Sequence, residues 1–281
     1  MTRKVPAREI QNKVKKLFFK ANIMMRPDIK KALEKAYAKE RSVRSRYMLK
    51  ILLDNAEIAK KEKLPLCQDT GLAVIFVEMG CDVRVTGGGI MEALNRGVEE
   101  AYTEYNFRKS VVMDPVSREY RNTNTPAVAH LNIVKGSGLR ITVMPKGFGS
   151  ENKSRIMMLD PVQIGDAVTD FCVETVKLAG ADACPPYVLG VGVGGTMDLC
   201  ALLAKKALLK PLAKSGAGGN SLKLGKRILK QVNSLGIGVM GLGGECTALG
   251  VNIEMAPTHI AGCPVAVALS CHSLRSASGM V

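Results

Sequence analysis

The hydrophobic period of this chain changes near residue 70, and that change limits the folds open to it. Before it, apolar residues recur at helical spacing. Ile10, Val14, Leu17, Phe18 and Ala21 follow Pro6, a good first-turn residue, and predict a helix. Ile29, Leu33, Ala36 and Tyr37 follow Pro27 and predict a second, and Tyr47, Ile51, Leu52 and Ala56 a third. After it, residues 72–77 form a continuous apolar, β-branched run, the pattern of a strand buried on both faces. Gly87-Gly88-Gly89 then breaks the chain before a helix over 91–105. Strands are predicted over 128–134, 139–144, 187–193, 247–254 and 265–270. Further helices are predicted over 161–178 and 197–209, and another ends near Leu235-Gly236 after a Gly-rich loop at 215–220. With no internal repeat and no linker, the expectation is one α/β (α+β) domain over 1–281: a helical N-terminal third, then a mixed β-sheet flanked by helices.

Composition narrows the class. A chain of 281 residues, 47% of them hydrophobic, can bury a sizeable core, and 23% charged residues argue against disorder. There is no Trp and only 4% aromatics, too few for a single-strand nucleic-acid platform. The net charge is +15. Residues 1–63 hold 19 of the 40 Lys and Arg and 7 of the 25 Asp and Glu, giving +12 there and +3 (21 minus 18) in the rest. This basic helical region reads first as a solvated face and second as a docking face; charge alone fixes no nucleic-acid groove. The N-terminus has no apolar signal region and no run reaches membrane length, so a soluble, cytoplasmic protein is expected. The 8 Cys would then sit in a reducing compartment, where metal or catalytic roles outweigh disulfides.

Three segments set chemistry at strand edges. Pro65-Leu66-Cys67-Gln68-Asp69-Thr70-Gly71 puts a thiol, an amide and a carboxylate together before the first long strand. Alone, Cys67 reads as a small buried hydrophobe. Ala183-Cys184-Pro185-Pro186-Tyr187 precedes another strand; Pro185 fixes φ and stiffens the backbone after the sulfur. A proline after a ligating cysteine also occurs in ferredoxin motifs, though a plain cysteine at a Pro-rich strand start is the other reading. The third segment runs from His259 through Cys263-Pro264 to Cys271-His272. No C-x-x-C pair occurs, which leaves a structural zinc site unsupported and suits a cluster better. Gly190-Val191-Gly192-Val193-Gly194-Gly195 fits G-x-G-x-x-G, but the stretch near Lys210 has no carboxylate for a ribose, so close strand–helix packing is the expected use. Ser150-Glu151-Asn152-Lys153 fits S-x-x-K without its companion elements.

At these residues the sequence resembles a known family. Cys67-Gln68-Asp69-Thr70-Gly71, then Gly147-Phe148-Gly149-Ser150-Glu151-Asn152-Lys153, then Cys184-Pro185-Pro186-Tyr187 with Gly194-Gly195-Thr196, then His259 followed by Cys271 occur in order. Together they resemble the N-terminal, cluster-binding part of class I fumarate hydratases and the related L-tartrate dehydratases, over nearly the whole chain. The resemblance implies a 4Fe–4S cluster on Cys67, Cys184 and Cys271 with one iron left open. Cys263, which also precedes a proline, is the rival third ligand, but the family's separation from the histidine matches Cys271. The resemblance further implies Gln68, Arg108, the Gly149 backbone and His259 as substrate-carboxylate contacts, and Asp69 beside the hydroxyl gained or lost. Against these stand plain alternatives: Arg108 a surface cation, His259 a loop residue, Asp69 a turn residue bonding its own backbone. Single-chain members continue into a second domain that supplies the base. The expectation is therefore the α subunit of an α2β2-type hetero-oligomer with a separate β subunit, binding neither nucleic acid nor membrane. Fumarate–malate is preferred over tartrate because residues 147–153 resemble the fumarase version of that loop. A non-catalytic iron–sulfur assembly or sensor protein is the contrasting class.

Overall fold

The computed structural model describes residues 2–162, 164–212 and 219–281; residues 215–218 of the expected Gly-rich loop lie outside them. In chain order the elements are β1 (Arg3–Pro6), α1 (Ala7–Ile23), α2 (Pro27–Lys39), α3 (Val43–Glu62), β2 (Leu72–Gly80), β3 (Val83–Thr86) and α4 (Ile90–Glu104). Then follow β4 (Val128–Val134), β5 (Leu139–Lys146), α5 (Phe148–Glu151), β6 (Arg155–Leu159), α6 (Ile164–Ala179), β7 (Tyr187–Val193) and α7 (Met197–Leu209). α8 (Asn220–Ser234), β8 (Ala248–Met255), β9 (Cys263–Ser270) and β10 (Ala277–Met280) complete the chain. The class is the mixed α/β one expected, helical at the N-terminus. The chain divides into two compact units: one of residues up to Met25, Ala56–Phe148 and Arg275–Val281, the other of Arg26–Asn55 and Gly149–Leu274.

The first unit is built on a four-stranded sheet in the order β10-β5-β2-β4. β2 runs parallel to β4 and antiparallel to β5. Its run Ala73–Val77 is buried, as a strand covered on both faces requires. α1 turns Ile10, Val14, Leu17, Phe18 and Ala21 inward against Leu94, Val98, Ala101 and Tyr102 of α4 and the β5 core residues. Each fully buried side chain of this size contributes about 1.5–3 kcal/mol. Gly71, at φ +82°, ends the loop into β2; a Cβ there would meet Pro145 C at 2.6 Å, so only glycine lets the loop lie against β5.

The second unit holds a sheet in the order β6-β9-β7-β8. β7 is parallel to β8 and antiparallel to β9, and all of β9 is buried. α7 lies directly on β7: a Cβ on Gly190 would stand 2.2 Å from Ala204 O, and one on Gly192 2.1 Å from Cys200 O. The Gly-rich strand therefore serves close strand–helix packing, as its sequence context implied. Arg26, before α2, donates to Leu208 O (2.7 Å) and Lys210 O (2.9 Å) beyond α7 and pairs with Asp28.

Four strands lie outside the sequence expectation. β1, β3 and β10 have four residues each and β6 five. Such runs are too short to carry a period, and their partners are distant in sequence: β10 pairs with β5 and β6 with β9. Among the described residues no helix is long and apolar enough to cross a membrane.

Candidate functional site

In the first unit the sequence places Cys67, Gln68 and Asp69 in the short loop between α3 and β2, and buried polar side chains hold that loop from below. Leu66 N donates to Asn22 O (2.8 Å). Tyr102 Oη donates to Thr70 O (2.7 Å) and Gly71 O (2.9 Å), and Asn124 Nδ2 to Gly71 O (3.2 Å). Burial pushes the Tyr102 hydroxyl far above its ordinary value, so it stays a donor. The half-buried Asp69 accepts from Gly71 N (2.9 Å) and from Phe148 N (2.8 Å), a turn that also ties the loop to the end of β5. Cys67 is half-buried and bonds Gln68 Oε1 (3.3 Å). Arg108 is exposed, joined to the loop through its carbonyl, which accepts from Thr70 Oγ1 (2.9 Å). Two buried cations stand here that the sequence did not single out. Lys146 donates to Gly147 O (3.1 Å) and Arg275 to Asn22 Oδ1 (3.0 Å). A lone Arg shortly after Cys271 was their only sequence trace.

In the second unit the β7–β9 ladder brings two thiols to one sheet end. Val188 pairs antiparallel with Ser270, so Cys184 precedes β7 where Cys271 leaves β9. Backbone bonds hold them. Cys184 N donates to Ala181 O (3.1 Å), while Cys184 O accepts from His272 N (3.4 Å) and His272 Nδ1 (3.1 Å). Met240 N donates to Pro185 O (2.8 Å). Cys184 sits at φ +56°, a left-handed conformation that is uncommon for a side-chain-bearing residue and clusters at functional sites. Cys271 Sγ lies 3.2 Å from Ser273 Oγ. Burial raises the Tyr187 hydroxyl. Lys153 pairs with Asp182 (2.6 Å), bringing the motif that contains exposed Gly149 toward this end.

His259 is elsewhere. It lies in the turn from β8 to β9, at the end of the sheet where Val193 pairs with Val265, and its Nδ1 accepts from Ala261 N (3.1 Å). The length of β7, about 20 Å for seven residues, separates that end from the thiols. The structure thus gathers Cys67, Gln68 and Asp69 in one unit and Cys184 and Cys271 in the other, and does not bring His259 to the latter pair. Within either unit, among the described residues, no group of three His, Cys, Asp or Glu forms a metal site.

The remaining thiols differ in chemistry. Burial pushes Cys172 far up, Cys200 up to about 11, Cys246 up to about 12, and Cys263 up as well. A metal ligand must be a thiolate, and without metal these four remain protonated thiols. The two half-buried thiols Cys184 and Cys271, presented at a strand edge, are the donor type a cluster takes.

Comparison with known proteins defines the class. The sequence profile of the fumarate hydratase (Fumerase) family matches residues 11–280, and the chain belongs to that family. Among its relatives is a Methanocaldococcus jannaschii chain provisionally named L(+)-tartrate dehydratase subunit alpha, 40% identical over 275 residues, covering 96% of each chain. The anaerobic class I fumarate hydratase of Escherichia coli K12 is 32% identical over 92% of this chain, which spans 49% of that enzyme. The L(+)-tartrate dehydratase subunit alpha of Escherichia coli UTI89 is 30% identical over 89% of this chain and 84% of its own.

Proposed function

We propose that this chain is the α subunit of an iron–sulfur hydro-lyase that interconverts fumarate and L-malate together with a separate β subunit, in an α2β2-type assembly in the cytoplasm. Cys67, Cys184 and Cys271 would hold a 4Fe–4S cluster, whose open iron supplies a Lewis acid for the hydroxyl gained or lost. The observation that carries the reading is the pair of half-buried thiols at one end of the β7–β9 ladder, one on left-handed backbone. Such a conformation costs about 1–3 kcal/mol and persists where its surroundings impose it. The raised thiols of Cys172, Cys200, Cys246 and Cys263 speak for the same ligand set.

The other residues have roles their chemistry allows. Gln68, Arg108 and the Gly149 N–H donate to substrate carboxylates, and basic groups neutralise the charge of a diacid. Asp69, oriented by two backbone amides, stands beside the hydroxyl. The β subunit supplies the base that moves the proton on the neighbouring carbon, in keeping with a chain that spans about half of the E. coli fumarate hydratase. L(+)-tartrate is the second reading, favoured by the name of the 40%-identical M. jannaschii relative.

The test is anaerobic reconstitution with the β subunit, followed by iron and sulfide counting and by assays on malate and tartrate. Single Cys→Ser changes at 67, 184 and 271 are expected to abolish the cluster, and those at 81, 172, 200, 246 and 263 to keep it. Cluster loss in C263S with retention in C271S would overturn the ligand set. Faster dehydration of tartrate than of malate would transfer the activity to the second reading.

A further inference from the structure

Arg275 is 3% exposed, yet it carries a charge that cannot be shed. Its Nη1 donates to Asn22 Oδ1 (3.0 Å), and its Nε, fully buried, meets no acceptor. A buried guanidinium with an idle donor is costly, and an aliphatic side chain would fill the volume without that cost. The remaining nitrogen shows what the charge faces. A Cβ built on Gly147 would lie 3.5 Å from Arg275 Nη2 and 3.4 Å from Asp69 Oδ2. The guanidinium and the carboxylate therefore flank one small space beside the Gly147 backbone. Asn22, the anchor of Arg275, also accepts from Leu66 N, directly before Cys67. The planar fork of one arginine thus bonds the Asn22 side chain, whose main-chain carbonyl holds Leu66 N, and turns another nitrogen to the space beside Asp69, which a lysine's single ammonium cannot do.

We propose that Arg275 is a positioning residue for the Cys67–Asp69 loop: through Asn22 on one side and the space beside Gly147 on the other, it fixes where Asp69 stands when a diacid arrives. The catalytic part of this assignment rests on the hydro-lyase reading of that loop; the structural part does not.

The experiment uses the reconstituted complex with its β subunit and three forms: parent, Arg275→Gln and Arg275→Lys. Amide hydrogen exchange, iron and sulfide content, and kcat and KM for malate are measured on each. In R275Q the amides of Gly71 and Phe148, which donate to Asp69, are expected to exchange about tenfold faster while those inside β2 keep their protection. Iron and sulfide stay at parent levels, kcat falls about 100-fold and KM moves by less than about threefold, because misplacement of a reacting group acts on the transition state. R275K recovers part of both effects, and where R275Q does not fold, R275K against parent carries the test with the same signs. Unchanged exchange at Gly71 and Phe148 overturns the proposal, as does a loss of activity that tracks loss of iron. A parent complex inactive on every diacid overturns the hydro-lyase reading instead, and the exchange arm still decides on Arg275.

Discussion

The two thiol-bearing loops are held by different balances of side-chain and backbone bonds. In the first unit the segment from Leu66 to Gly71 draws on side chains: Tyr102 and Asn124 donate to its carbonyls, Asp69 accepts from Gly71 N and Phe148 N, and Arg275 holds Asn22, whose backbone carbonyl takes Leu66 N. In the second unit Cys184 is fixed mainly through its own backbone: amide–carbonyl bonds, two following prolines and a left-handed φ, with one side-chain bond from His272 Nδ1 to its carbonyl. Side-chain scaffolding can be removed one residue at a time, whereas backbone scaffolding survives most single substitutions. The first loop should therefore be the fragile one.

The largest effect tests this directly. Asn124→Ala removes the donor to Gly71 O and strands Ser110 N, which donates to Asn124 Oδ1 (2.7 Å). Gly71 O keeps its bond from Tyr102 Oη, so the cost is one lost buried bond, about 0.5–1.5 kcal/mol, plus the stranded Ser110 N, about 1–3 kcal/mol, and a loss of about 3 kcal/mol is expected in urea unfolding. The matching change in the second loop is Ser273→Ala, which deletes only a sulfur–hydroxyl contact and should cost under about 1 kcal/mol. Equal losses would break the contrast between the loops.

A smaller effect concerns acid. Asp28 lies in the second unit, where Arg26 pairs with it at 2.7 Å and Leu212 N donates to it at 3.0 Å. Burial pushes its carboxyl up, but the Arg26 hydrogen bond and charge and the Leu212 amide prevail and hold it below its ordinary value of 3.8. A depressed carboxyl stabilises the fold above its unfolded value and loses that contribution as pH falls through its folded value. Asp28→Asn should thus cost about 1–2 kcal/mol at neutral pH, and the difference from parent should vanish well below pH 3.8. A gap that persists at the lowest pH would mean the lost interaction is not the charged one.

How much of this was legible in the sequence follows from range. The helices and the strands read at 72–77 and 187–193 announce themselves because their period or unbroken apolar run is local. Type and strand edge mark Cys67, Cys184 and Cys271 but mark Cys263 equally, so only the family resemblance chose among them, whereas Gly190 and Gly192 could be assigned to packing because no acidic partner follows them. β6 and β10 could not be read, since their identity comes from β9 and β5. Nor could the brace beneath Cys67: Asn22, Tyr102, Asn124 and Arg275 are scattered from the first helix to the stretch before the last strand, and only the fold makes them neighbours. His259 shows the converse: its spacing to Cys271 is read directly from the sequence, while the strand between them sets it at the other sheet end, a placement that spacing does not announce.

The finest prediction is one of sign rather than size. Cys184 has a φ of +56°, and Cys67 is not among the non-glycine residues with positive φ. Glycine adopts the left-handed region without Cβ penalty, while alanine there bears about 1–2 kcal/mol; glycine in turn loses more unfolded-state freedom, by about 0.4–1 kcal/mol. In the apo chain Cys184→Gly should therefore unfold at higher urea than Cys184→Ala, by about 0.5–1 kcal/mol net. At Cys67 the order should reverse, with Ala the more stable, because only the unfolded-state term remains. The sulfur is lost in all four variants, so ligation cannot explain the difference; the backbone alone does. Ala more stable than Gly at both positions would mean that Cys184 is not held in the left-handed region, and the backbone account of the second loop would fall with it.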